Sequence, residues 1–357
     1  MSKTPRNYSI DAIRGFALIL VVLGHANVGV VSAGLAVGNT FLSQLNAALY
    51  LVHMPLFAFL MGLNMSAASR RHPHPQYLWN RVITFGYLYF LWTLIQGSFQ
   101  VLGSSASNSD TSWIDVINLW HPLAHLWYLP WAAIVFCILL SIQPWRNRAT
   151  SYLLMVLLLL VMLLSWGIDG KSIPERGMSL LFITALGAVL GIERLTQKIM
   201  KLHSFVLIIF AICFGALYLY IAFSSVTTTR PTSADPHRTL SSIGMGMAAS
   251  YAGMVAIIMF FSYLYRWRRI RVLEYLGKTS LPIYLMHLMF TPTTRVLLAK
   301  IGVDNPYIID IFATLAGIIL PVLIVYMTRL RMPWLYEPPT ILLPSGSGYG
   351  YKPKHSR

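Results

Sequence analysis

The feature that most restricts the fold of this chain is a series of ten apolar stretches separated by short polar segments. Most are close to the ~20 residues that cross a bilayer as an α-helix. Only 11% of the 357 residues are charged, against about 25% in soluble domains. The sequence therefore predicts an all-α integral membrane protein with about ten transmembrane helices. We place these spans at roughly 13–31, 45–63, 82–102, 127–143, 151–168, 178–192, 204–224, 244–264, 279–298 and 308–328.

Lysine and arginine residues are distributed unequally between the two sets of connecting segments. If the N-terminus is inside, the inner segments hold 20 of the 27 basic residues and the outer loops hold six, with Arg14 at the edge of the first span. By the positive-inside rule, this bias predicts that both termini are cytoplasmic. It also accounts for most of the net charge of +16, so the charge does not indicate a nucleic-acid partner.

The sequence predicts a single membrane domain. We expect residues 1–12 to form a cytoplasmic N-terminal segment, 13–328 the transmembrane domain and 329–357 a disordered cytoplasmic tail, rich in Pro and Gly at its end. Polar residues in and beside the first span fit an uncleaved helix better than a signal peptide, and we expect a multi-pass protein of the inner (plasma) membrane. Cys137 and Cys213 lie in apolar runs, so no metal site is expected.

Three polar residues in and just before the first span fall on one helix face. His25 lies eleven positions after Arg14, which brings the two side chains within roughly 20° of each other and about 16 Å apart along a helix. Asp11 lies three residues before Arg14 and can share that face. Ionisable groups in a span usually face a cavity or a partner, although a span histidine is also often structural. A histidine accepts and returns protons near neutral pH, so the stripe favours a catalytic role for His25, Arg14 and Asp11.

A second group of candidates surrounds the inner connection between the second and third spans. Arg70, Arg71 and Arg81 suit phosphate binding through paired hydrogen bonds, although the positive-inside rule alone also explains arginines here. Within the second span, His53 precedes Pro55, which interrupts the helical hydrogen bonds. His53 therefore either faces a site or bonds to the loosened backbone.

Two aromatic regions complete the set of candidates. Trp127 and Tyr128 open the fourth span at its outer end, where aromatic residues form an interfacial belt but also stack on sugar rings. Tyr284 and His287 are one turn apart in the ninth span and share a face. No carboxylate lies in the middle of a span, which counts against an ion-coupled pump or symporter.

Four segments, in this order, resemble the motifs of the acyltransferase-3 family of integral-membrane acyltransferases. They are SIDAIRG at 9–15 with VLGH at 22–25, HMPLF at 53–57, LWYL at 126–129 and LGKTSLPIYLMH at 276–287. The family signature is an arginine, ten residues and a histidine, which Arg14 and His25 match. The resemblance covers residues 8–328. Many members carry R-x-x-R before the third span; here Arg70 and Arg71 stand apart from Arg81, which leaves open which arginine contacts the donor.

The resemblance implies transfer of an acyl group, most often acetyl from acetyl-CoA, to a hydroxyl of a carbohydrate or lipid-linked glycan, with His25 as general base. No metal is implied. The donor is expected at Arg14, Arg70, Arg71 and Arg81, and the acceptor at His53, Trp127, Tyr128, Tyr284 and His287. The alternative is a transporter or flippase for a glycan or small solute. A purely structural scaffold would leave the stripe of Arg14 and His25 unexplained.

Overall fold

The computed structural model describes residues 7–71, 74–103, 111–173 and 175–344, and helices joined by turns and loops make up this part of the chain. The α-helices are α1 (Tyr8–Ser32), α2 (Thr40–Arg71), α3 (His74–Leu102), α4 (Trp113–Ile117), α5 (Tyr128–Ile142), α6 (Arg148–Ser165), α7 (Leu181–Leu190), α8 (Ile192–Lys201), α9 (Ser204–Phe223), α10 (Leu240–Leu264), α11 (Arg271–Lys278), α12 (Ser280–Lys300) and α13 (Pro306–Thr328).

Each of the ten predicted spans coincides with a helix, and the prediction of an all-helical membrane protein is confirmed. Within the described residues, eight helices are long and apolar enough to cross a bilayer; α7 and α8, bent by 70°, would make a ninth. The eight do not include α12, because Thr291, Thr293 and Arg295 dilute its apolar sequence. The count of ten spans and the cytoplasmic termini remain predictions. We call the end of the bundle that holds Tyr8 and Arg71 the inner end.

Helix α1 occupies the centre of the bundle. It packs against α2, α10, α11, α12 and α13, and buries residues along its whole length, from Ile10 to Val30. Asn7 caps its first turn by accepting hydrogen bonds from the backbone N–H groups of Ser9 and Ile10. The Asn7 amide also donates to Thr196 of α8 (2.9 Å). The central position explains why the polar stripe of α1 faces protein rather than lipid.

Paired glycines allow two helix pairs to approach closely. A Cβ atom on Gly15 of α1 would collide with the carbonyl oxygen of Leu273, and one on Gly277 of α11 with that of Asp11. Gly62 of α2 makes the same kind of contact with α7. Small residues at such contacts are typical of membrane helices, since they let the backbones meet. The contact between α1 and α11 holds the end of α11 beside Arg14.

The short helix α11 lies outside the spans and is anchored by an ion pair. The Arg269 guanidinium donates hydrogen bonds of 2.9 and 2.6 Å to the two carboxylate oxygens of Glu274. These hydrogen bonds hold the pKa of Glu274 below its usual range. Arg269 also lies 3.4 Å from the ring centroid of Tyr8. The start of α1 and α11 are therefore fixed relative to each other.

The expectation of a disordered tail over 329–357 is wrong for the part that follows α13. Pro333, Tyr336 and Leu343 are buried. The Tyr87 hydroxyl and the Trp92 indole of α3 each donate a 2.9 Å hydrogen bond to this segment, to the carbonyls of residues 334 and 335. Donors on α3 thus satisfy backbone groups of the segment while its apolar side chains are buried. Residues 345–357 lie outside the described part of the chain.

Candidate active site

A cavity of about 920 Å³ opens at the inner end of the bundle, between α1, α2, α3, α8 and the junction of α11 with α12. Its polar lining includes Asp11, Arg14, Arg71, Arg81 and Lys278. Glu193 is a sixth charged residue of the lining, so four cationic side chains outnumber two anionic ones and the cavity attracts anions. Guanidinium groups bind phosphates through two parallel hydrogen bonds, and an ammonium group binds them as a point charge.

The cationic side chains of the cavity differ in exposure and in their contacts. Arg14 is more buried than Arg71, with 28% of its side chain exposed, and its Nη1 lies 4.0 Å from the Asp11 carboxylate. Arg71 keeps 54% of its side chain exposed and lies 3.9 Å from Glu193 of α8. The Arg81 guanidinium lies 5.2 Å from the ring centroid of Tyr77. The charge of Arg14 is therefore screened less by solvent than that of Arg71.

Of the arginines expected to bind the donor, Arg70 is the one that does not line the cavity. Its Nη2 donates a 2.8 Å hydrogen bond to Glu193. Lys278 does line the cavity but was not among the predicted site residues. The signal was present, because Lys278 is the lysine of the LGKTSLPIYLMH segment. The positive-inside rule also explains a lysine at this position, so the sequence does not single it out.

The inner part of the cavity continues into an apolar section. Met54, Phe57 and Met61 of α2 line this section, together with aromatic side chains of α3 and α5. Val21, Tyr128 and Tyr284 also belong to the lining. Val21 is one turn before His25 on α1, about 6 Å along the helix axis. The cavity therefore leads from the cationic residues towards His25.

Four histidines from separate segments meet just beyond this apolar section. The ring centroid of His25 lies 5.2 Å from that of His287 and 5.9 Å from that of His125. His125 and His287 are 4.6 Å apart. Tyr50 connects the fourth member, since its ring lies 4.8 Å from His53 and 6.3 Å from His25. We refer to these four histidines as the histidine cluster.

Backbone carbonyls fix the ring orientation of three histidines in the cluster. His53 Nδ1 lies 2.5 Å from the Leu49 carbonyl oxygen. The Tyr284 carbonyl oxygen lies 2.8 Å from His125 Nε2 and 2.7 Å from His287 Nδ1. A carbonyl only accepts, so each of these nitrogens carries the proton. The other nitrogens of His125 and His287 are buried and have no hydrogen-bond partner in the described part of the chain. They are acceptors while the rings are neutral.

His25 differs from the other three histidines because it is only half-buried, and its ring lies between those of the other members. The structure shows the bond between His53 and the loosened backbone, and the His53 ring nevertheless belongs to the site through its contact with Tyr50. No group of three or more His, Cys, Asp or Glu side chains in the described ranges is arranged to hold a metal ion. Imidazole rings accept and return protons near neutral pH, so the cluster is suited to moving protons.

The aromatic candidates separate into two sets. Tyr128 and Tyr284 line the cavity, and the Tyr284 hydroxyl donates to the carbonyl of His125. Trp127 is not part of the lining; it packs edge-on against Tyr128 and Trp131 at centroid distances of 6.0 and 6.2 Å. His125 and Tyr50 were not among the predicted site residues. They join the site through contacts between segments far apart in the chain.

Fold and site together define a polytopic membrane protein in which a basic inner cavity leads to a cluster of histidines. The acyltransferase-3 family model, described as an acyltransferase domain, matches residues 7–327. The chain belongs to this family of membrane acyltransferases, as the motifs predicted. No match to the chain was found among curated proteins or among solved structures.

Proposed function

We propose that this protein transfers an acyl group, acetyl in the simplest case, from cytoplasmic acyl-CoA to a hydroxyl of a carbohydrate or lipid-linked glycan. One observation carries this proposal: the cavity lined by Arg14, Arg81 and Lys278 extends to Val21, one turn from His25. The site lies in the plasma membrane, with both termini in the cytoplasm. Membership of an acyltransferase family favours this function over the transporter or flippase alternative.

The donor binds in the inner cavity. CoA carries several phosphates on its nucleotide and a long, largely uncharged arm that ends in the thioester. The phosphates bind to Arg14, Arg71, Arg81 and Lys278 at the wide inner end, where charge-assisted hydrogen bonds are available. The arm follows the apolar section, and the thioester reaches the level of His25. Arg70, paired with Glu193, does not take part.

His25 acts as the general base. The acceptor oxygen forms a bond to the acyl carbon while its proton passes to an imidazole nitrogen of His25. The carbon–sulfur bond then breaks, and the CoA thiolate takes the proton from the imidazolium and leaves as the thiol. Help of this kind typically accelerates a reaction by about 10²–10⁴-fold. His287, whose ring is fixed by the Tyr284 carbonyl, holds the His25 ring in place. Asp11 orients the Arg14 guanidinium.

The acceptor approaches the histidine cluster from the outer end of the bundle. His53, Tyr128, Tyr284 and His287 surround the point where the hydroxyl meets the thioester and offer hydrogen-bond partners to it. Trp127 supports Tyr128 and does not touch the acceptor. The two substrates thus enter from opposite ends and meet at His25, so that the acyl group crosses part of the membrane.

The test uses purified protein in proteoliposomes. Acyl-CoA is added on one side and a glycan acceptor on the other, and release of free CoA and acylation of the glycan are measured together. Equal amounts of free CoA and acylated glycan are expected. Movement of the labelled glycan across the membrane without acyl-CoA, with no CoA release when donor is present, would instead support the flippase alternative.

A further inference from the structure

The outer half of the path to His25 contains a cation that the acyl transfer described above does not use. Arg230 lies in the loop between α9 and α10 and is half-buried. Its Cζ atom lies 5.8 Å from the ring centroid of Tyr50. The Tyr50 ring in turn lies 6.3 Å from that of His25. A single tyrosine therefore separates this guanidinium group from the proposed base.

Arg230 stands beside a face of α2 that lies further outward than the part of α2 that lines the inner cavity. Asn46, Tyr50 and His53 are spaced by four and three residues, which places them on one helix face. The same helix lines the inner cavity from Met54 to Arg71. Arg71 is about 38 Å along the helix from Asn46. Arg230 and Asn46 therefore lie far from the donor phosphates, on the acceptor side of the histidine cluster.

Two neighbouring donors in this region have hydrogen-bonding capacity to spare. Arg230 Nη1 donates a 3.0 Å hydrogen bond to the Asn46 amide oxygen. A guanidinium group only donates, so the amide oxygen must face it and the NH₂ group must point elsewhere. Asn46 is 9% exposed, and its buried Nδ2 has no hydrogen-bond partner among the residues that the structure describes. A buried donor left unsatisfied costs free energy, which a ligand oxygen would recover.

Within the described residues, no ion pair neutralises the charge of Arg230. The Asp169 carboxylate, in the loop between α6 and α7, is paired with Arg176 at 3.2 Å. A half-buried guanidinium beside a buried amide donor is a suitable partner for an oxyanion.

The backbone holds Arg230 in a defined position, although it belongs to a loop. The preceding residue, Thr229, is fully buried; its N–H donates to the Ser242 carbonyl (3.0 Å), and its own carbonyl accepts from the Trp166 indole (2.7 Å). The following carbonyl, that of Pro231, accepts a 2.6 Å hydrogen bond from the Ser179 hydroxyl. A binding group supported on both sides loses little freedom when a ligand arrives.

We infer that Arg230 and Asn46 form a subsite for a negatively charged group on the acceptor, so that the preferred glycan carries a carboxylate or phosphate. Asn46 is seven residues, or about 10 Å of helix, from His53. The charged group therefore lies on the same sugar as the acylated hydroxyl or on the next one. The inference rests on the proposed function and specifies its acceptor class.

The experiment compares matched acceptors at saturating acetyl-CoA, with the full-length protein in nanodiscs. A panel of alkyl hexosides is measured against the corresponding uronic acids, in which a carboxylate replaces the CH₂OH group, and against the 6-phosphates. Comparing the uronic acids with the 6-phosphates distinguishes carboxylate from phosphate recognition. The variants are Arg230→Gln and Arg230→Lys. Lys300→Gln is the control; it removes one positive charge from the outer end of α12, away from the path.

The wild type and Lys300→Gln should acylate one of the charged acceptors with a kcat/KM at least about 10-fold above that of the neutral hexoside, since hydrogen bonds to charged groups are lost in the neutral acceptor. Arg230→Gln should remove this preference by lowering kcat/KM much more for the charged acceptor than for the neutral one, and Arg230→Lys should keep part of it. Equal use of charged and neutral acceptors by the wild type would overturn the inference, as would a uniform loss of rate in Arg230→Gln.

Release of free CoA separates this inference from the proposed function. If acetyl-CoA is consumed and neutral glycans are acylated without charge preference, the acyltransferase stands and the anionic subsite is wrong. If acetyl-CoA is consumed and no sugar of the panel is acylated, the carbohydrate acceptor and the subsite both fall. If acetyl-CoA is not consumed under any condition, the proposed function itself fails. Unfolding temperatures of all variants show whether a loss of rate reflects misfolding.

Discussion

Replacing Arg14 by Gln should weaken acyl-CoA binding without preventing catalysis at saturating donor. Arg14 lines the inner cavity and is more buried than Arg71, with 28% of its side chain exposed against 54% for Arg71. A hydrogen bond to a charged group contributes about 1.5–3 kcal/mol. Partial exposure places Arg14 towards the lower value, which corresponds to a rise of about 10-fold in the KM for acetyl-CoA.

The neighbouring arginines provide an internal comparison for this prediction. Arg71 lines the cavity but is more exposed and lies near Glu193, so we expect its replacement by Gln to raise KM by less than about 5-fold, as for surface ion pairs. Arg70 has the same exposure and also pairs with Glu193, but it lies outside the lining. Arg70→Gln should therefore leave KM unchanged.

The assay measures KM for acetyl-CoA at saturating acceptor and, independently, the Kd for CoA by calorimetry in nanodiscs. Both constants should rise together in Arg14→Gln, while kcat changes little, because the donor phosphates lie far from the reacting bond. Arg14→Lys should recover part of the affinity, since it keeps the charge but loses the two-pronged geometry. Equal KM values for Arg14→Gln and Arg70→Gln would refute the assignment of donor phosphates to the cavity.

Three further predictions concern packing, pH and the tail. Gly62→Ala should destabilise the protein by about 1–3 kcal/mol, because the new methyl group meets the Thr184 carbonyl. Gly86→Ala should not, since no described atom lies within 4 Å of the new methyl group. Equal unfolding temperatures of the two variants in detergent would contradict this. The acyl-transfer rate at saturating substrates should fall in acid, because a general base must be unprotonated. The residual activity of His25→Ala should not show this fall, and the same pH profile in both proteins would argue against histidine. Trp92→Phe removes the hydrogen bond to Leu335 and should cost about 0.5–1.5 kcal/mol of unfolding free energy, and unchanged stability would show that the tail contributes nothing.

The features that the sequence predicts well are those that one helix determines alone. Span positions follow from runs of apolar residues, and the shared face of Asp11, Arg14 and His25 follows from helical periodicity. The ion-pair distance between Asp11 and Arg14 (4.0 Å) agrees with that face. Such statements need only the rise and rotation per residue, so they do not depend on how the helices pack.

The features that the sequence does not reveal are those made by contacts between distant segments. His125 and Tyr50 enter the site because α1, α2, α5 and α12 converge there, and no local pattern encodes that convergence. The inner loop arginines show the same limit. Helix α2 continues to Arg71, so Arg70 and Arg71 point about 100° apart, and only one of them lines the cavity. The sequence alone does not show where α2 ends, so it leaves this choice open.

The central claim, that His25 removes the proton from the acceptor hydroxyl, is tested most directly by single-turnover acyl transfer in His25→Ala. The donor is pre-bound at saturation, and the rate of acylated product formation is measured in the same sample in which the Kd for CoA is determined. We predict a rate lower by about 10²–10⁴-fold with an unchanged Kd and normal membrane insertion. A variant that inserts correctly, binds CoA and transfers the acyl group at the wild-type rate would contradict the mechanism.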